Sequence, residues 1–200
     1  GVLVGFESAE AFEEVVWRAF WTHKFKRDRI ELWAENETDE EFTQLFTAHL
    51  RKIVAVRSST NDSPRRYISK NNANIARIGF LRRLFPDSRI LVPFRDPVDQ
   101  AVSLLHQHRR FLAKHRKESF SRRYMEDIGH FEFGELHRPI DFDGVDDMIA
   151  RYQSDTLEYW IAYWLAAFTH ILRQRDDVLL VSYERCCEAG ATTFRAVAET

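Results

Sequence analysis

Apolar positions follow two spacings along the chain, short continuous runs and stripes at intervals of three and four residues. Continuous runs are typical of strands covered on both faces, and they predict strands at 1–6, 88–94 and 177–183, while 65–69 is a further short strand candidate. The stripes predict helices at 9–21, about 39–56, 71–85, 97–115, about 145–173 and 192–200. Between them, residues 128–144 combine aromatic and turn residues without a period, which indicates a loop or lid.

Strands that alternate with helices indicate an α/β fold, in which a parallel sheet is flanked by helices. The 200 residues, of which 44% are hydrophobic, suffice for one core, so we expect 1–200 to form a single domain. Ligands of such folds bind beyond the carboxyl ends of the strands. The positions to search are therefore Glu7, Lys70, Arg95 and Tyr183, which stand at or just after predicted strand ends.

Charge and cysteine usage narrow the class of protein. The formal net charge of −2 argues against a surface devoted as a whole to nucleic acid or membrane. The adjacent Cys186 and Cys187 cannot staple distant segments, so we interpret both as reduced thiols. The sequence shows neither a transmembrane segment nor the pattern of a signal peptide. These features together predict a cytoplasmic protein.

Arg95 and Ser103 form the first candidate for an anion site. Arg95 directly follows the strand at 88–94, and Ser103 lies eight residues later, just over two turns along the next helix. A guanidinium, a hydroxyl and the start of a helix could together bind one phosphate. The spacing alone leaves open that the arginine merely ends a strand and that the serine is a small helix contact.

A longer motif surrounds this pair, YISKNNANIARIGFLRRLFPDSRILVPFRDPVDQAVSLL, and a second motif is DTLEYWIAYWLAAF followed by DVLLVSYER. Both resemble the sulfotransferases that use 3′-phosphoadenosine 5′-phosphosulfate (PAPS), and together they span roughly Arg66 to Arg185. The resemblance implies the P-loop nucleoside-triphosphate-hydrolase-like architecture of that family. It also implies a transferase that moves a sulfuryl group from PAPS to a hydroxyl or amine acceptor, which the sequence does not identify.

The resemblance assigns roles to individual residues. Arg95 and Ser103 match the pair that holds the 3′-phosphate of PAPS, and Tyr183 matches the tyrosine that contacts the adenine. Lys70 matches the lysine that reaches the phosphosulfate, where a fixed cation would stabilise charge on the leaving oxygen. Each of these residues also has a plainer interpretation, such as a packed tyrosine or a solvated lysine.

The catalytic base has several candidates. Glu7 stands where relatives carry an acidic residue that takes the proton of the acceptor, although it could equally complement the dipole of the following helix. Some members of the family use a histidine instead. His106 and His108 are candidates for surface or wall positions, whereas His130 and His137 flank the aromatic loop and could face an acceptor.

One part of the expected machinery is missing from these residues. The glycine-rich loop that cradles the 5′-phosphosulfate does not occur in them, and we expect it upstream of Gly1. If it is not there, we expect weak PAPS binding and little activity. No cysteine and histidine set has the spacing of metal ligands, and sulfuryl transfer needs no metal.

Two other functions remain open at this stage. A nucleotide kinase on the same architecture would need a Gly-x-x-x-x-Gly-Lys-Ser/Thr loop and a carboxylate for magnesium, which the sequence lacks. A non-catalytic module could bind phosphate or nucleic acid through residues 109–123, where seven of fifteen positions are Lys or Arg. That segment could also attract an anionic acceptor or be a solvated helix face, and we expect no specific nucleic-acid partner. The oligomeric state cannot be inferred.

Overall fold

A computed structural model describes residues 12–57 and 66–199 of the chain. This part is rich in helix and holds one small parallel sheet. Its elements in chain order are α1 (Glu14–Phe20), α2 (Glu40–Arg57), α3 (Ile78–Leu84), β1 (Ile90–Phe94), α4 (Pro97–Lys117), α5 (Ser119–Asp127), α6 (Val145–Arg151), α7 (Leu157–Arg173), β2 (Val178–Ser182) and α8 (Tyr183–Glu199). Short 3₁₀ turns lie at Thr22–Lys24, Asn72–Ala76, Gly134–Leu136 and Arg175–Asp177.

The sheet confirms two of the predicted strands. β1 and β2 pair in parallel, from Ile90 opposite Val178 to Phe94 opposite Ser182. A parallel pair requires a long crossover, which here consists of α4 to α7. Both strands therefore end at the same edge of the sheet, and α4 and α8 begin there. The arrangement is compatible with the α/β sulfotransferase fold.

The main core lies away from this edge and is built largely of aromatic rings. Trp17 of α1 packs against Phe42 and Phe46 of α2, with ring centroids 4.5 and 5.2 Å away, and against Phe80 of α3 at 5.7 Å. All four side chains are buried. Aromatic rings bury large areas and favour such tilted and edge-on contacts, so this cluster fixes the first three helices against one another.

A buried ion pair joins α1 to the segment that precedes α3. The guanidinium of Arg77 donates to both carboxylate oxygens of Glu14, at 3.1 and 2.6 Å, and lies 3.8 Å from the ring centroid of Trp17. Asn71 donates to the same carboxylate at 2.7 Å, and Arg77 donates to the side chain of Asn74 at 2.9 Å. The stretch directly after Lys70 is thus bound to α1 by buried and partly buried polar contacts.

Three predicted elements require correction. The strand predicted at 65–69 is wrong over its described residues, since 66–68 are irregular and Ser69 forms only an isolated bridge. The helix predicted at 71–85 consists of the 3₁₀ turn Asn72–Ala76 and then α3, because Arg77 has φ −143° and interrupts the helix. The helix predicted at 145–173 divides into α6 and α7, since Tyr152 is extended and Thr156 caps a new start by accepting from Tyr159 N. The strand predicted at 1–6 lies outside the described residues.

The loop at 128–144 is confirmed as mostly irregular, with one 3₁₀ turn. It packs against α4 and α7. Ile140 N donates to the hydroxyl of Tyr163 on α7 at 3.0 Å, and the glycines at 129, 134 and 144 have positive φ, which allows the sharp changes of direction. Much of the basic segment 109–123 belongs to α4 and α5, where its lysines and arginines are exposed.

Candidate functional site

The carboxyl ends of β1 and β2 bring together residues that are distant in sequence. Arg95 follows β1, Tyr183 follows β2, and the guanidinium carbon of Arg95 lies 5.1 Å from the ring centroid of Tyr183. Asp96 N donates to Glu184 Oε1 at 2.9 Å, and Ser182 donates to Glu184 Oε2 at the same distance. These bonds, led by the one from Asp96, hold the pKa of Glu184 below its usual value. Glu184 therefore ties the two strand ends to each other.

Arg95 is only loosely engaged by its protein neighbours. Its side chain is 32% exposed, and its closest carboxylate is that of Asp99, with 3.7 Å between Nη2 and Oδ2. Its Nε is inaccessible to solvent and has no hydrogen-bond acceptor among the described residues. A buried donor without an acceptor is unfavourable, so the Arg95 guanidinium can accept an anion without breaking strong bonds.

The start of α4 lies at this edge of the sheet. Asp96 caps the helix by accepting from Val98 N and Asp99 N, at 2.9 and 3.0 Å, and Pro97 occupies the first turn. Ser103 lies on α4 and is exposed, and within residues 12–57 and 66–199 its hydroxyl has no hydrogen-bond partner. Hydrogen bonding to Cys187 is the main cause of a raised pKa for Tyr183, which is also exposed.

A cavity of about 560 Å³ begins beside this edge and continues into the molecule. It passes Pro93 of β1 and Gln100 and Leu104 of α4, and Lys70 lies in its wall. Its described lining is mostly apolar, with an aromatic group formed by Phe131, Phe133, Trp160, Tyr163, Trp164 and Phe168. A volume of this size is typical of sites for small molecules.

A polar group lies in the cavity wall near Lys70. Lys70 itself is exposed, and no described residue forms an ion pair with it. Asn72 donates to Glu132 Oε1 at 3.2 Å, and Glu132 Oε2 lies 3.8 Å from His130 Nδ1. Asn72, Glu132 and His130 all line the cavity. A cation, a carboxylate and an imidazole therefore share one cavity and are linked through Asn72.

The other candidate histidines have different environments. His137 is enclosed, its Nδ1 lies 2.7 Å from Glu132 O, and its Nε2 lies 2.7 Å from the Tyr159 hydroxyl. Burial, reinforced by nearby His108, lowers the pKa of His137 to about 4. Both of its ring nitrogens are engaged, which makes it a poor base for a ligand. His106 is exposed, as expected of a surface residue, and His108 is buried.

The structure thus brings Arg95 and Tyr183 together, places Ser103 on α4, which begins at the same edge, and places Lys70 in the wall of the cavity. Glu7 lies outside the described residues. Sequence reasoning missed Glu184 and Glu132 as organising residues. The Tyr-Glu pair at 183–184 was a visible signal for the first, whereas nothing in the sequence links Glu132 to Asn72, which is 60 residues away.

The geometry agrees with a comparison to known families. The sequence model described as the sulfotransferase family matches residues 6–200, and the chain therefore belongs to the sulfotransferase family. Searches among curated proteins and among solved structures found no match. Membership implies a transferase with a nucleotide donor and an acceptor substrate. None of the helices in the described part of the chain is long and apolar enough to cross a membrane.

Proposed function

We propose that this protein transfers a sulfuryl group from PAPS to a hydroxyl or amine acceptor, and that residues 1–200 belong to one domain of the P-loop nucleoside-triphosphate-hydrolase-like architecture. Family membership supports the reaction class, and the parallel β1–β2 pair with its helical crossover supports the architecture. The donor binds at the carboxyl edge of the sheet. The acceptor enters through the cavity that adjoins this edge.

One observation carries the assignment of the donor site. Arg95 stands at the strand edge with an unbonded Nε and lies against the ring of Tyr183, which comes from the neighbouring strand end. A nucleotide with a phosphate on its ribose presents an anion and an aromatic base together. We assign the 3′-phosphate to Arg95 and Ser103 and the adenine to Tyr183, because a guanidinium binds phosphate strongly and an aromatic ring stacks on a base.

Lys70 serves the transfer itself in this proposal. As the acceptor attacks sulfur, negative charge grows on the oxygen that bridges sulfur and the 5′-phosphate. An ammonium group held beside that oxygen stabilises the charge electrostatically. The position of Lys70 in the cavity wall, with no described carboxylate paired to it, supports this role. The sequence leaves the base of the reaction open between Glu7, which lies outside the described residues, and a histidine.

Calorimetric titration of the full-length protein with 3′,5′-bisphosphoadenosine, AMP and ATP tests the donor site. We expect the bisphosphate to bind best, since only it carries the ribose phosphate. The variant Arg95→Ala should weaken bisphosphate binding about 10- to 100-fold, as expected for the loss of one charge-assisted hydrogen-bonded pair, and should change AMP binding little.

The matched control for that titration is Arg175→Ala. Arg175 is exposed and lies just before β2, at the opposite end of the strand from Tyr183. Its loss should leave all three affinities unchanged. Equal losses of bisphosphate and AMP binding in Arg95→Ala would show that Arg95 does not bind the ribose phosphate. Preference for ATP with magnesium would favour a kinase, and binding of RNA without nucleotide affinity would favour a nucleic-acid module.

A further inference from the structure

The wall of the cavity carries an imidazole and a carboxylate that no part of the donor site uses. Resting on the function proposed above, we propose that His130, positioned by Glu132, is the catalytic base, and that the acceptor is a hydroxyl carried on an apolar or aromatic body. Three features support this assignment: how His130 is held, what it faces, and what lines the cavity around it.

The backbone of His130 is fixed at a sharp turn after α5. Gly129 has φ +77°, and a Cβ at that position would lie 2.9 Å from Arg18 Cδ and 3.0 Å from Glu14 Cγ, so only glycine fits without displacement. His130 N then donates to Met125 O at 2.9 Å. The imidazole therefore projects from a constrained position and is 31% exposed.

Glu132 is itself held from two sides. His137 Nδ1 lies 2.7 Å from the backbone carbonyl oxygen of Glu132, and Asn72 donates to Glu132 Oε1 at 3.2 Å. Its other carboxylate oxygen is 3.8 Å from His130 Nδ1, close enough that a small rotation of the imidazole forms a hydrogen bond. A proton held on Nδ1 by a carboxylate leaves Nε2 as the basic nitrogen. Bonds between a base and its positioning group are often long before substrate binds.

The same contacts relate the base to Lys70. Asn72 is only two residues beyond Lys70, and its bond to Glu132 joins the segment of the cation to the loop of the imidazole. Lys70 and His130 both line the cavity. A base for the attacking group and a cation for the leaving group are both needed at a sulfuryl transfer, and the cavity provides them on adjoining segments.

The lining of the cavity selects the acceptor. Beyond this polar group, its wall is mostly apolar and aromatic, including Trp160, Trp164 and Phe133. A glycan would leave many hydroxyls without partners there, which is costly, whereas an apolar body gains from burial. A hydroxyl must lose its proton as it attacks, while a neutral amine attacks through its lone pair. The presence of a base therefore favours an alcohol or a phenol.

The chemical step balances as follows. His130 Nε2 takes the proton of the acceptor hydroxyl, and the acceptor oxygen uses its freed electron pair to bond to sulfur. The bond between sulfur and the bridging oxygen breaks, and its electron pair stays on the 5′-phosphate of the departing 3′,5′-bisphosphoadenosine. The proton then passes from the His130 imidazolium to water, which restores the base.

The variant His130→Gln tests the base, with 2-naphthol as the acceptor probe and PAPS as donor. A positioned base contributes about 10²- to 10⁴-fold, so kcat should fall by at least about 100-fold. KM for 2-naphthol and the affinity for 3′,5′-bisphosphoadenosine should stay within threefold. A fall in kcat without a change in these binding constants would assign His130 to the chemical step.

Two further variants sharpen the result. Glu132→Gln should reduce kcat about 10- to 100-fold and leave the KM for 2-naphthol within threefold, as expected for a residue that acts through its partner. His23→Gln is the matched control, because His23 is exposed and does not line the cavity. It should turn over 2-naphthol at the native rate.

A binding measurement separates the possible failures. Quenching of tryptophan fluorescence by 2-naphthol, with bisphosphate present, should report binding in both the native protein and His130→Gln. Native turnover of 2-naphthol by His130→Gln would overturn the role of His130. Bisphosphate binding with no binding or sulfation of 2-naphthol, 1-octanol or cyclohexanol would overturn the acceptor class. Failure of the native protein to bind bisphosphate would instead refute the proposed function.

Discussion

At the scale of single residues, the buried pair of Arg77 and Glu14 has the clearest energetic role. Its Nη2 and Oε2 atoms are 2.6 Å apart, and the two side chains are 0% and 4% exposed. Taking two such charges out of water is costly, and only the full set of contacts with Asn71, Asn74 and Trp17 offsets that cost. The pair therefore holds the segment after Lys70 only while both charges are present.

Replacing Arg77 by methionine should be severely destabilising. Among the described residues it leaves the buried Glu14 carboxylate with Asn71 as its side-chain donor, and the loss of one partner of a buried pair costs about 3–5 kcal/mol. Urea denaturation would measure the change in the free energy of unfolding. The double variant Arg77→Met/Glu14→Leu should recover part of the loss, since no charge is then left unpaired.

Arg175→Met is the reference for that experiment, because this arginine is 78% exposed and its ion-pair partner among the described residues is its neighbour Asp176. It should change the free energy of unfolding by less than about 0.5 kcal/mol. A double variant that is no more stable than Arg77→Met alone would contradict the assignment of the loss to an unpaired carboxylate.

At the scale of elements, two imidazoles of α4 hold the loop 128–144 against the helix. Gly134 N donates to His108 Nδ1 at 3.2 Å, and Glu135 N donates to His115 Nδ1 at 3.3 Å. Gly134 has φ +74°, and a Cβ there would lie 2.7 Å from His115 Nδ1, so loop and helix fit closely. Each Nδ1 can accept these bonds only while it carries no proton.

The attachment of this loop should weaken in acid. Burial lowers the pKa of His108 and His115, as it does that of His137, below the ordinary value of about 6.5. Asp155 and Glu135 oppose the shifts of His108 and His115, whereas Arg109, Arg122 and Lys114 reinforce them. Groups with a lowered pKa in the folded state contribute stability that is complete above pH 6.5. It is lost as the pH falls from there towards the folded-state values, near 4 for His137.

Urea denaturation between pH 7.5 and 4 would measure this loss. We expect the free energy of unfolding to fall across the window, because the unfolded chain binds more protons. The double variant His108→Gln/His115→Gln keeps two side-chain acceptors that do not titrate and should flatten the dependence. His49→Gln on α2, outside this contact, should leave the slope unchanged, and an equally steep slope in the double variant would refute the role of the α4 histidines.

The element scale also shows what the sequence can predict. β1, β2, α4 and the irregular loop were predictable because continuous apolar runs and helix starts are local signals. The separation of α6 from α7 was not, since the apolar stripe continues across Tyr152 while Thr156 starts a new helix. The strand predicted at 65–69 is also not formed by its described residues, where Tyr67 makes a tertiary contact by donating to Glu13 at 2.6 Å.

At the scale of the whole molecule, the candidate site combines pieces of different predictability. Arg95 and Tyr183 were found by their position after strands, since parallel strands end at one edge. The Asn72, Glu132 and His130 group was not, because it depends on how the loop lies over the segment after Lys70. The local sequence determines the helices and strands, whereas the packing between distant segments determines the positions of Asn72, Glu132 and His130.

Donor binding should stabilise the whole fold, because its site joins both strands. A ligand at 100 times its dissociation constant adds about 2.7 kcal/mol, and a chain of this size gains about 2–4 °C in Tm per kcal/mol. We therefore expect 3′,5′-bisphosphoadenosine at 100 times its dissociation constant to raise Tm by about 5–10 °C, as measured by calorimetry. AMP at the same concentration should raise it less, and Arg95→Ala should remove the difference. Equal shifts for the two nucleotides would contradict the assignment of the ribose phosphate to Arg95.

The parallel pairing of β1 with β2 also constrains how the protein is made. Phe94 pairs with Ser182, so the strand that completes the sheet edge is synthesised long after the first. During translation Arg95 leaves the ribosome well before Tyr183 and Glu184, so the proposed donor site cannot form until β2 docks. Contacts between residues so far apart in sequence form slowly, so we expect β2 to dock late in folding. Until then the edge of β1 is unpaired and exposed to aggregation.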